Sequence, residues 1–266
     1  MSVVGYKVVD ENFCGYNGFQ YTVGGTYFHD GRVQVCESGF HFCRSPHYVW
    51  AYAKRHYRFC VVEASGTIVG GDEHKSACSV IHIIKELSLV EIMSLCNDDL
   101  PFVLSCACEN DHVEAIEVLA TPPFKHTYAP AAKDSAIFMA CAHGHVEILN
   151  LLASLKFDIG HENARWTLAV ACQYGHANIV KRLAEPPFNL THEDVNLDSN
   201  RSLLWACAYG FVEIVKLLAA PPFNLTREDI MSQNCIAFRV AAFKGHTEIT
   251  KLFMSPPYNV IPSELK

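Results

Sequence analysis

The chain has 266 residues, of which 50% are hydrophobic and 18% charged, so it can bury one large core or two modest ones. Its net charge of −7 comes without any cluster of Lys and Arg, and a nucleic-acid partner is therefore not expected. The chain begins without the apolar run of a signal peptide and has no stretch near the roughly 18 apolar residues of a membrane span, which predicts a cytoplasmic protein with no membrane partner.

The first 90 residues predict a small α+β domain. Short runs of β-branched and aromatic residues, separated by glycines, are typical of strands between turns. These runs are Tyr6–Val9, Phe19–Val23, Arg32–Val35, Arg58–Glu63 and Val80–Ile84. Residues 47–54 predict a helix, because Ser45-Pro46 is a helix-start signal with proline at the favoured first position.

Three glycine- and aromatic-rich patterns in this domain carry a resemblance. They are Gly18-Phe-Gln-Tyr-x-Val-Gly-Gly-x-Tyr27, Cys36-Glu-Ser-Gly-Phe-His-Phe-Cys43 and Phe59-x-Val-Val-Glu-Ala-x-Gly66. Together they resemble an uncharacterised domain that occurs in phages, bacteria and large DNA viruses. The resemblance implies a viral or microbial source, and it implies no activity.

The stretch from Gly39 to Ala53 leaves a second interpretation open. It is similar to the strand–Ser–helix step of ADP-ribosyltransferase-like folds, whose helix lies over a nicotinamide pocket. That resemblance implies an NAD-linked enzyme with Glu63 or Glu86 as the carboxylate and His41 as a cofactor anchor. The competing interpretation is a non-catalytic fold with an aromatic core. We favour it, and expect no enzyme and no cofactor, because neither carboxylate lies in a recognisable motif.

The second part of the chain, from about residue 96, contains five similar segments. Each has an alanine, a small residue, two variable residues and a glycine or aspartate, and the last position recurs after 33, 31, 35 and 35 residues. The segments are Ala107–Asp111, Ala140–Gly144, Ala171–Gly175, Ala206–Gly210 and Ala241–Gly245. Self-similarity at this period predicts stacked units, none of which buries its apolar face alone.

Each unit predicts two helices. A large apolar residue stands three positions before the alanine, so both lie on one face of a first helix, which the glycine ends. An amphipathic second helix follows, for example Val212–Ala219. In four of the five units this helix runs into Pro-Pro-aromatic, and two prolines end a helix because neither has an N–H.

These segments resemble an array of ankyrin repeats. The family pattern Thr-Pro-Leu-His-x-Ala-Ala-x-x-Gly-His maps onto Arg201–Phe211, and the second-helix motif Glu-Ile-Val-x-Leu-Leu maps onto Val212–Leu218. The resemblance implies an all-α solenoid of about five repeats over residues 91–266. We expect residues 86–95 to form a helix that caps its open end.

Two features depart from the ankyrin pattern. The Thr-Pro start of the first helix is absent, and Pro-Pro-Phe-Asn-Leu-Thr replaces the usual hairpin between repeats. Thr191–Asp194 and Thr226–Asp229 are S/T-x-x-D capping signals, which predict an extra helical turn in place of that hairpin.

In ankyrin arrays, variable positions on the concave face of the first helices bind the partner, so the resemblance implies a protein-interaction scaffold. The candidate partner-binding residues are His143, Arg165, Gln173, Tyr174, Asn200, Tyr209, Phe243 and Lys244. Tyr174 and Tyr209 stand in register and are the leading anchors, although tyrosines that pack repeat on repeat would give the same pattern. Because residues 96–266 carry 19 Asp and Glu against 13 Lys and Arg, an acidic partner is not expected.

Histidines and cysteines also recur at fixed repeat positions. His145, His176 and His246 follow the turn glycine, and four of the twelve cysteines share one position. One histidine per repeat does not make a tetrahedral cluster, and the chain has no Cys-x-x-Cys pair. We therefore expect hydrogen-bonding histidines at helix starts, buried reduced cysteines and no metal.

Overall fold

The N-terminal strands and the C-terminal helices follow from two hydrophobic periods, near two residues in the first part of the chain and near 3.6 in the second. The computed structural model describes residues 2–16, 18–54, 57–70, 74–124, 130–154, 161–196 and 200–261. The strands are β1 Val3–Asp10, β2 Thr26–Phe28, β3 Phe40–Phe42, β4 Tyr57–Val69 and β5 Ser76–Leu87. The α-helices are α1 Leu89–Cys96, α2 Leu100–Glu109, α3 Val113–Leu119, α4 Pro130–Ala142, α5 Val146–Ser154, α6 His161–Tyr174, α7 Ala177–Leu183, α8 His192–Asn196, α9 Arg201–Tyr209, α10 Val212–Ala219, α11 Arg227–Phe243 and α12 Thr247–Met254. The predicted α+β domain followed by all-α repeats is confirmed.

The chain divides into two compact units, residues 1–132 and residues 133–266. The first unit holds the sheet, α1 and the first two-helix repeat, α2 and α3. The second unit holds the repeats from α4 to α12. None of the helices in the described segments has the length and hydropathy that a bilayer crossing requires.

The sheet of the first unit is antiparallel and is centred on two long strands, β4 and β5. Its order is β1-β4-β5-β2, and β3 pairs with β5 beside β2. Alternate residues of the two central strands, such as Val62, Ala64, Ile81 and Ile83, are fully buried in the core. The period of two in these runs therefore produces one apolar face.

Three of the five predicted strand runs lie in β1, β4 and β5, whereas Phe19–Val23 and Arg32–Val35 form loops. The backbone of the first loop pairs locally, through the bridge between Gln20 and Cys14, and its rings pack against core residues. The Phe19 ring centroid lies 4.9 Å from that of Tyr21 and 5.3 Å from those of Tyr27 and Phe40. A short run of aromatic residues thus resembles a strand in sequence, although these side chains pack against other rings and the run is not a strand of the sheet.

Residues 47–54, predicted to be a helix, lie mostly in a 3-10 helix, Pro46–Tyr52, that begins after Ser45 with proline at its first position. Trp50 is fully buried, and its ring centroid lies 4.6 Å from that of Phe59. The 3-10 helix packs against both α1 and α2. It therefore joins the sheet to the first repeat within this unit.

A histidine at the start of the second helix forms a hydrogen bond to a backbone carbonyl of the segment that precedes its repeat. In the second unit, His176 Nε2 donates to the carbonyl oxygen of Ala142 at 2.7 Å, and His246 Nε2 donates to that of Ala208 at 3.3 Å. Both carbonyls belong to the preceding repeat. The hydrogen-bonding role predicted for His176 and His246 is confirmed.

His112 makes the corresponding contact in the first repeat, where no repeat precedes it. Its ring is 2% exposed, and Nε2 donates to the carbonyl oxygen of Ala53, at the end of the 3-10 helix, at 3.1 Å. The ring centroid of Tyr57 lies 4.1 Å away. The N-terminal domain thus supplies the carbonyl that an earlier repeat supplies elsewhere.

The segments between repeats are compact. The aromatic residue after each Pro-Pro is buried, and the asparagine that follows it in three of the four has a positive φ, which asparagine tolerates better than most residues. The buried aromatic residues are Phe124, Phe188, Phe223 and Tyr258. The next apolar residue folds back on its own repeat, as where Leu225 N–H donates to the Leu218 carbonyl at 2.9 Å.

The extra helical turns predicted in these segments are present as α8 and the first turns of α11. Thr226 and Asp229 form a capping box, in which each side chain accepts a hydrogen bond from the backbone N–H of the other. Asp229 also pairs with His192 of the preceding segment, with 2.8 Å between Oδ2 and Nε2. Burial raises the pKa of Asp229, but the hydrogen bonds from His192 and Thr226 outweigh it and hold this pKa below its ordinary value.

We predict that His112→Ala lowers the free energy of unfolding by about 2–3 kcal/mol, because it leaves the buried Ala53 carbonyl unpaired and opens a cavity. Urea unfolding of the full chain measures the change. His112→Phe, with the ring that Phe211 places at the same repeat position, keeps the packing and is expected to fall between alanine and wild type. His143→Ala at an exposed site is the control, expected within about 0.5 kcal/mol of wild type. Equal effects of His112→Ala and His143→Ala would contradict the bridging role.

We predict that Asp229→Asn costs about 1 kcal/mol at pH 7, because the amide weakens the capping box and the contact with His192. The folded-state pKa lies below the ordinary 3.8, so the carboxylate stabilises the fold above about pH 4 and loses this effect as pH falls through the folded pKa. The difference between wild type and Asp229→Asn should therefore shrink below pH 4. Glu228→Gln, at the exposed neighbouring position, is the control in the same denaturation series. A difference that does not vary with pH would show that the charge of Asp229 is not what stabilises the loop.

Candidate functional site

The first helices of the repeats in the second unit expose a concentration of aromatic side chains. Trp166 is 47% exposed, Tyr174 50%, Tyr209 47% and Phe243 91%. Clustered aromatic residues at a protein surface mark interaction sites more often than scattered ones do. We name this surface the aromatic face; it consists of Phe138, Trp166, Tyr174, Trp205, Tyr209 and Phe243.

Helix α9 shows why the sequence places these residues on one side. Arg201, Trp205 and Tyr209 are four residues apart, and the first and last are exposed. Leu203 and Ala206, at intermediate positions, are fully buried. The helical period therefore separates a packing side from a solvent side on the same short helix.

The aromatic side chains stack within and between repeats. The ring centroids of Phe138 and Trp166, from successive repeats, are 5.0 Å apart. Those of Trp205 and Tyr209 are 5.7 Å apart, and Lys244 Nζ of the next repeat lies 5.2 Å from the Tyr209 ring centroid. Four of the six rings, Phe138, Trp166, Trp205 and Tyr209, are thus held by neighbouring side chains, which lowers the entropic cost of binding through them.

Seven of the eight predicted binding residues are at least partly exposed. They are His143, Arg165, Gln173, Tyr174, Tyr209, Phe243 and Lys244. Tyr174 and Tyr209 each keep about half of their surface, so packing of repeat on repeat does not cover them.

Arg165 and Asn200 occupy different places. Arg165 Nε lies 3.4 Å from Asp194 Oδ1 and is engaged in the segment between repeats. Asn200 is 8% exposed, and its amide donates to the Asp229 carbonyl at 3.1 Å and to Ser232 Oγ at 2.8 Å. A side chain buried in this way does not present itself to a partner, so Asn200 does not belong to the surface that the sequence analysis assigned it to.

Trp166, Trp205 and Arg239 belong to the exposed side of the first helices and were not among the predicted residues. Helical spacing would have found them: Trp205 stands four before Tyr209, Arg239 four before Phe243, and Trp166 seven before Gln173. The prediction used only the residues next to the turn glycine and at the helix start.

The repeated cysteines serve packing. Cys141, Cys172 and Cys207 are fully buried, and burial raises the pKa of each thiol, which keeps it protonated. Among the residues that the structure describes, no three His, Cys, Asp or Glu side chains come together as metal ligands.

The three residues considered for the alternative NAD-linked enzyme lie in β5 or opposite it, at widely separated positions along this strand. His41 pairs across the sheet with Ala77, and Glu86 stands nine residues further along the strand. At about 3.3 Å per residue this is a separation of roughly 30 Å. Glu86 is also held by Arg58, with two bonds of 2.7 Å, and Glu63 lies opposite His82 between the two ends. The structure does not bring Glu86 and His41 into one site.

Comparison with known protein families assigns both parts of the chain. Residues 3–95 match the domain of unknown function (DUF7666), and residues 137–234 and 168–262 match a model described as ankyrin repeats (3 copies). The predicted uncharacterised domain and the predicted ankyrin repeats are confirmed. No curated protein and no solved structure matches the chain.

We predict that Tyr174→Ala lowers the free energy of unfolding by about 1 kcal/mol or less, because half of the side chain is already in solvent. Leu168→Ala, a fully buried position on the same helix, should cost about 2–5 kcal/mol. Chemical denaturation of the two variants measures both. A loss for Tyr174→Ala as large as that for Leu168→Ala would mean that the tyrosine is a packing residue.

Proposed function

We propose that the ankyrin repeats of residues 137–262 bind a protein partner through the aromatic face. Ankyrin repeats are protein-interaction modules. On this surface large aromatic side chains are exposed although packing between repeats does not require them there. The observation that carries the proposal is the exposure of Tyr174 and Tyr209 at the same position of successive repeats. Tyrosine and tryptophan dominate binding energy at interfaces because they are large and rigid.

The size of the surface suits a specific interface. An aromatic side chain contributes about 150–250 Å² when it is fully covered, so the four exposed rings of the face offer on the order of 500 Å². A stable interface needs roughly 800 Å² from each partner. The partner therefore has to contact neighbouring polar positions such as Gln173, Arg239 and Lys244 as well as the rings.

The segments between repeats support this choice of surface. Hairpin tips contact partners in many repeat arrays, but here the hairpins are replaced by Pro-Pro turns and capped helical turns. Their apolar residues, such as Phe223 and Leu225, are buried in the repeat itself. In the described part of the second unit, the exposed large aromatic side chains, Trp166, Tyr174, Tyr209 and Phe243, lie on the first helices.

The N-terminal domain enters the proposal as a second module fixed to the first repeat through His112 and Ala53. The cytoplasmic location and the viral or microbial source stay predictions from the sequence.

We predict that Tyr174→Ala/Tyr209→Ala loses at least tenfold of the partner recovered by affinity capture of the full chain from its native cell, because each aromatic anchor is worth about 1–3 kcal/mol. The matched control is Lys181→Ala/Glu213→Ala, an exposed ion pair between second helices, which should recover the partner as wild type does. Recovery of the same proteins by the tyrosine variant and wild type would show that the aromatic face is not the binding surface.

A further inference from the structure

Charge is distributed unevenly between the two sides of the repeats. The segments Ala164–Tyr174, Arg201–Tyr209 and Gln233–Lys244 of the first helices contain no Asp or Glu, and they carry Arg165, Arg201, Arg239 and Lys244. Two acidic residues lie on first helices outside these segments: Glu162 near the start of α6, and Asp134 in α4. The other described acidic residues of these repeats lie on the second helices and between repeats: Glu185, Glu193, Asp194, Glu213, Glu228, Asp229 and Glu248. Asp198 lies outside the described residues. The overall negative charge of the repeats therefore does not describe the side that bears the aromatic face.

Three of the four cations, Arg201, Arg239 and Lys244, are exposed, and the Lys244 ammonium lies above the Tyr209 ring. Arg239 stands four residues before the exposed Phe243 on the same helix. Arg165, by contrast, is already paired with Asp194. Positive charge with no acidic residue on the same helix segment favours a ligand that brings its own carboxylates.

From this arrangement we infer that the aromatic face binds an extended acidic peptide segment of the partner, with two carboxylates that pair with Arg239 and Lys244 and an apolar side chain that contacts Tyr209 and Trp205. The inference rests on the proposed function and adds the chemistry of the ligand. It replaces the expectation, drawn from the net charge, that the partner is not acidic.

The two cations call for two separate carboxylates. Arg239 and Lys244 are five residues apart, which is a rise of about 7.5 Å along a helix and a rotation of about 140° around it, so their side chains leave the helix in different directions. A segment with two or more acidic residues beside a leucine or aromatic residue therefore fits the two cations and the rings, and no single spacing of the acidic residues is required.

A nucleic acid fits the same surface less well. Phosphate-backbone binding of useful strength needs contacts to several phosphates, and one of the four cations of these segments, Arg165, is already paired with Asp194. The exposed carboxylates between repeats, Glu193 and Glu228 among them, would repel a strand running across the array. The acidic peptide needs only the two cations next to the rings.

The test is selection of a phage library of random 12-residue peptides on the full chain. Wild type should enrich peptides that carry two or more Asp or Glu residues beside Leu, Phe, Tyr or Trp at least threefold over the library. Arg239→Glu/Lys244→Glu should lose that enrichment, because both pairings become repulsive. The matched control, Lys181→Glu/Lys216→Glu, makes the same charge change at exposed second-helix positions and should select as wild type does.

Fluorescence anisotropy with the most enriched peptide completes the experiment. Its Asn/Gln version should bind at least tenfold more weakly. Enrichment of neutral or basic peptides, no enrichment, or equal selection by wild type and Arg239→Glu/Lys244→Glu would overturn the inference. So would tighter binding of a 15-nucleotide oligouridine than of the peptide at the same salt concentration.

The two proposals fail in different ways. If Tyr174→Ala/Tyr209→Ala loses the captured partner and Arg239→Glu/Lys244→Glu keeps it, the aromatic face binds a protein but not through carboxylates. If both variants keep the partner, the proposed function itself is wrong.

Discussion

The stacking of the repeats depends on a turn that has no room for a side chain. In three repeats of the second unit the turn glycine has a φ of 77–84°, and a Cβ added to it would lie 2.5–2.8 Å from a ring of the next repeat. The pairs are Gly144 with His176, Gly175 with Phe211 and Gly210 with His246. The glycine thus ends the first helix and receives the ring that begins the next second helix. In the first repeat Asp111 takes the left-handed conformation in place of glycine, with a φ of 62°.

Because packing uses the small and aliphatic residues of each first helix, the remaining positions of that helix are left to the surface. Ala206 and Cys207 are fully buried, whereas Tyr209, two residues after Cys207 on the same helix, is half exposed. The exposed residues of the first helices can therefore vary without loss of the stack. The short Pro-Pro segments have the opposite character, since their aromatic residues are committed to the core of their own repeat. Packing residues and exposed residues are thus separated by helix face.

The N-terminal domain shows where sequence patterns stop being sufficient. The runs that became β1, β4 and β5 alternate over many residues, and their period alone identified them. The run Phe19–Val23 has the same composition, but its rings gather around Phe40 and its backbone stays outside the sheet. The contact between His112 and Ala53 joins residues 59 positions apart and has no local signature. It became recognisable only by analogy with the histidines of the later repeats.

The sequence by itself determined what depends on residues a few positions apart: the repeat period, the two helices of each repeat, the helix ends at glycine and proline, and the capping at Thr226. It also identified Tyr174 and Tyr209 as exposed candidates, because a position in register has a similar environment in each repeat. Tertiary structure decided which polar residues remain available. Asn200 forms a contact with Asp229, 29 residues away, while Lys244 stays exposed above the Tyr209 ring and Arg239 stays exposed to solvent. The reason is physical: helix propensity and capping act within about one turn, whereas burial and pairing depend on which distant groups the folded chain brings within reach.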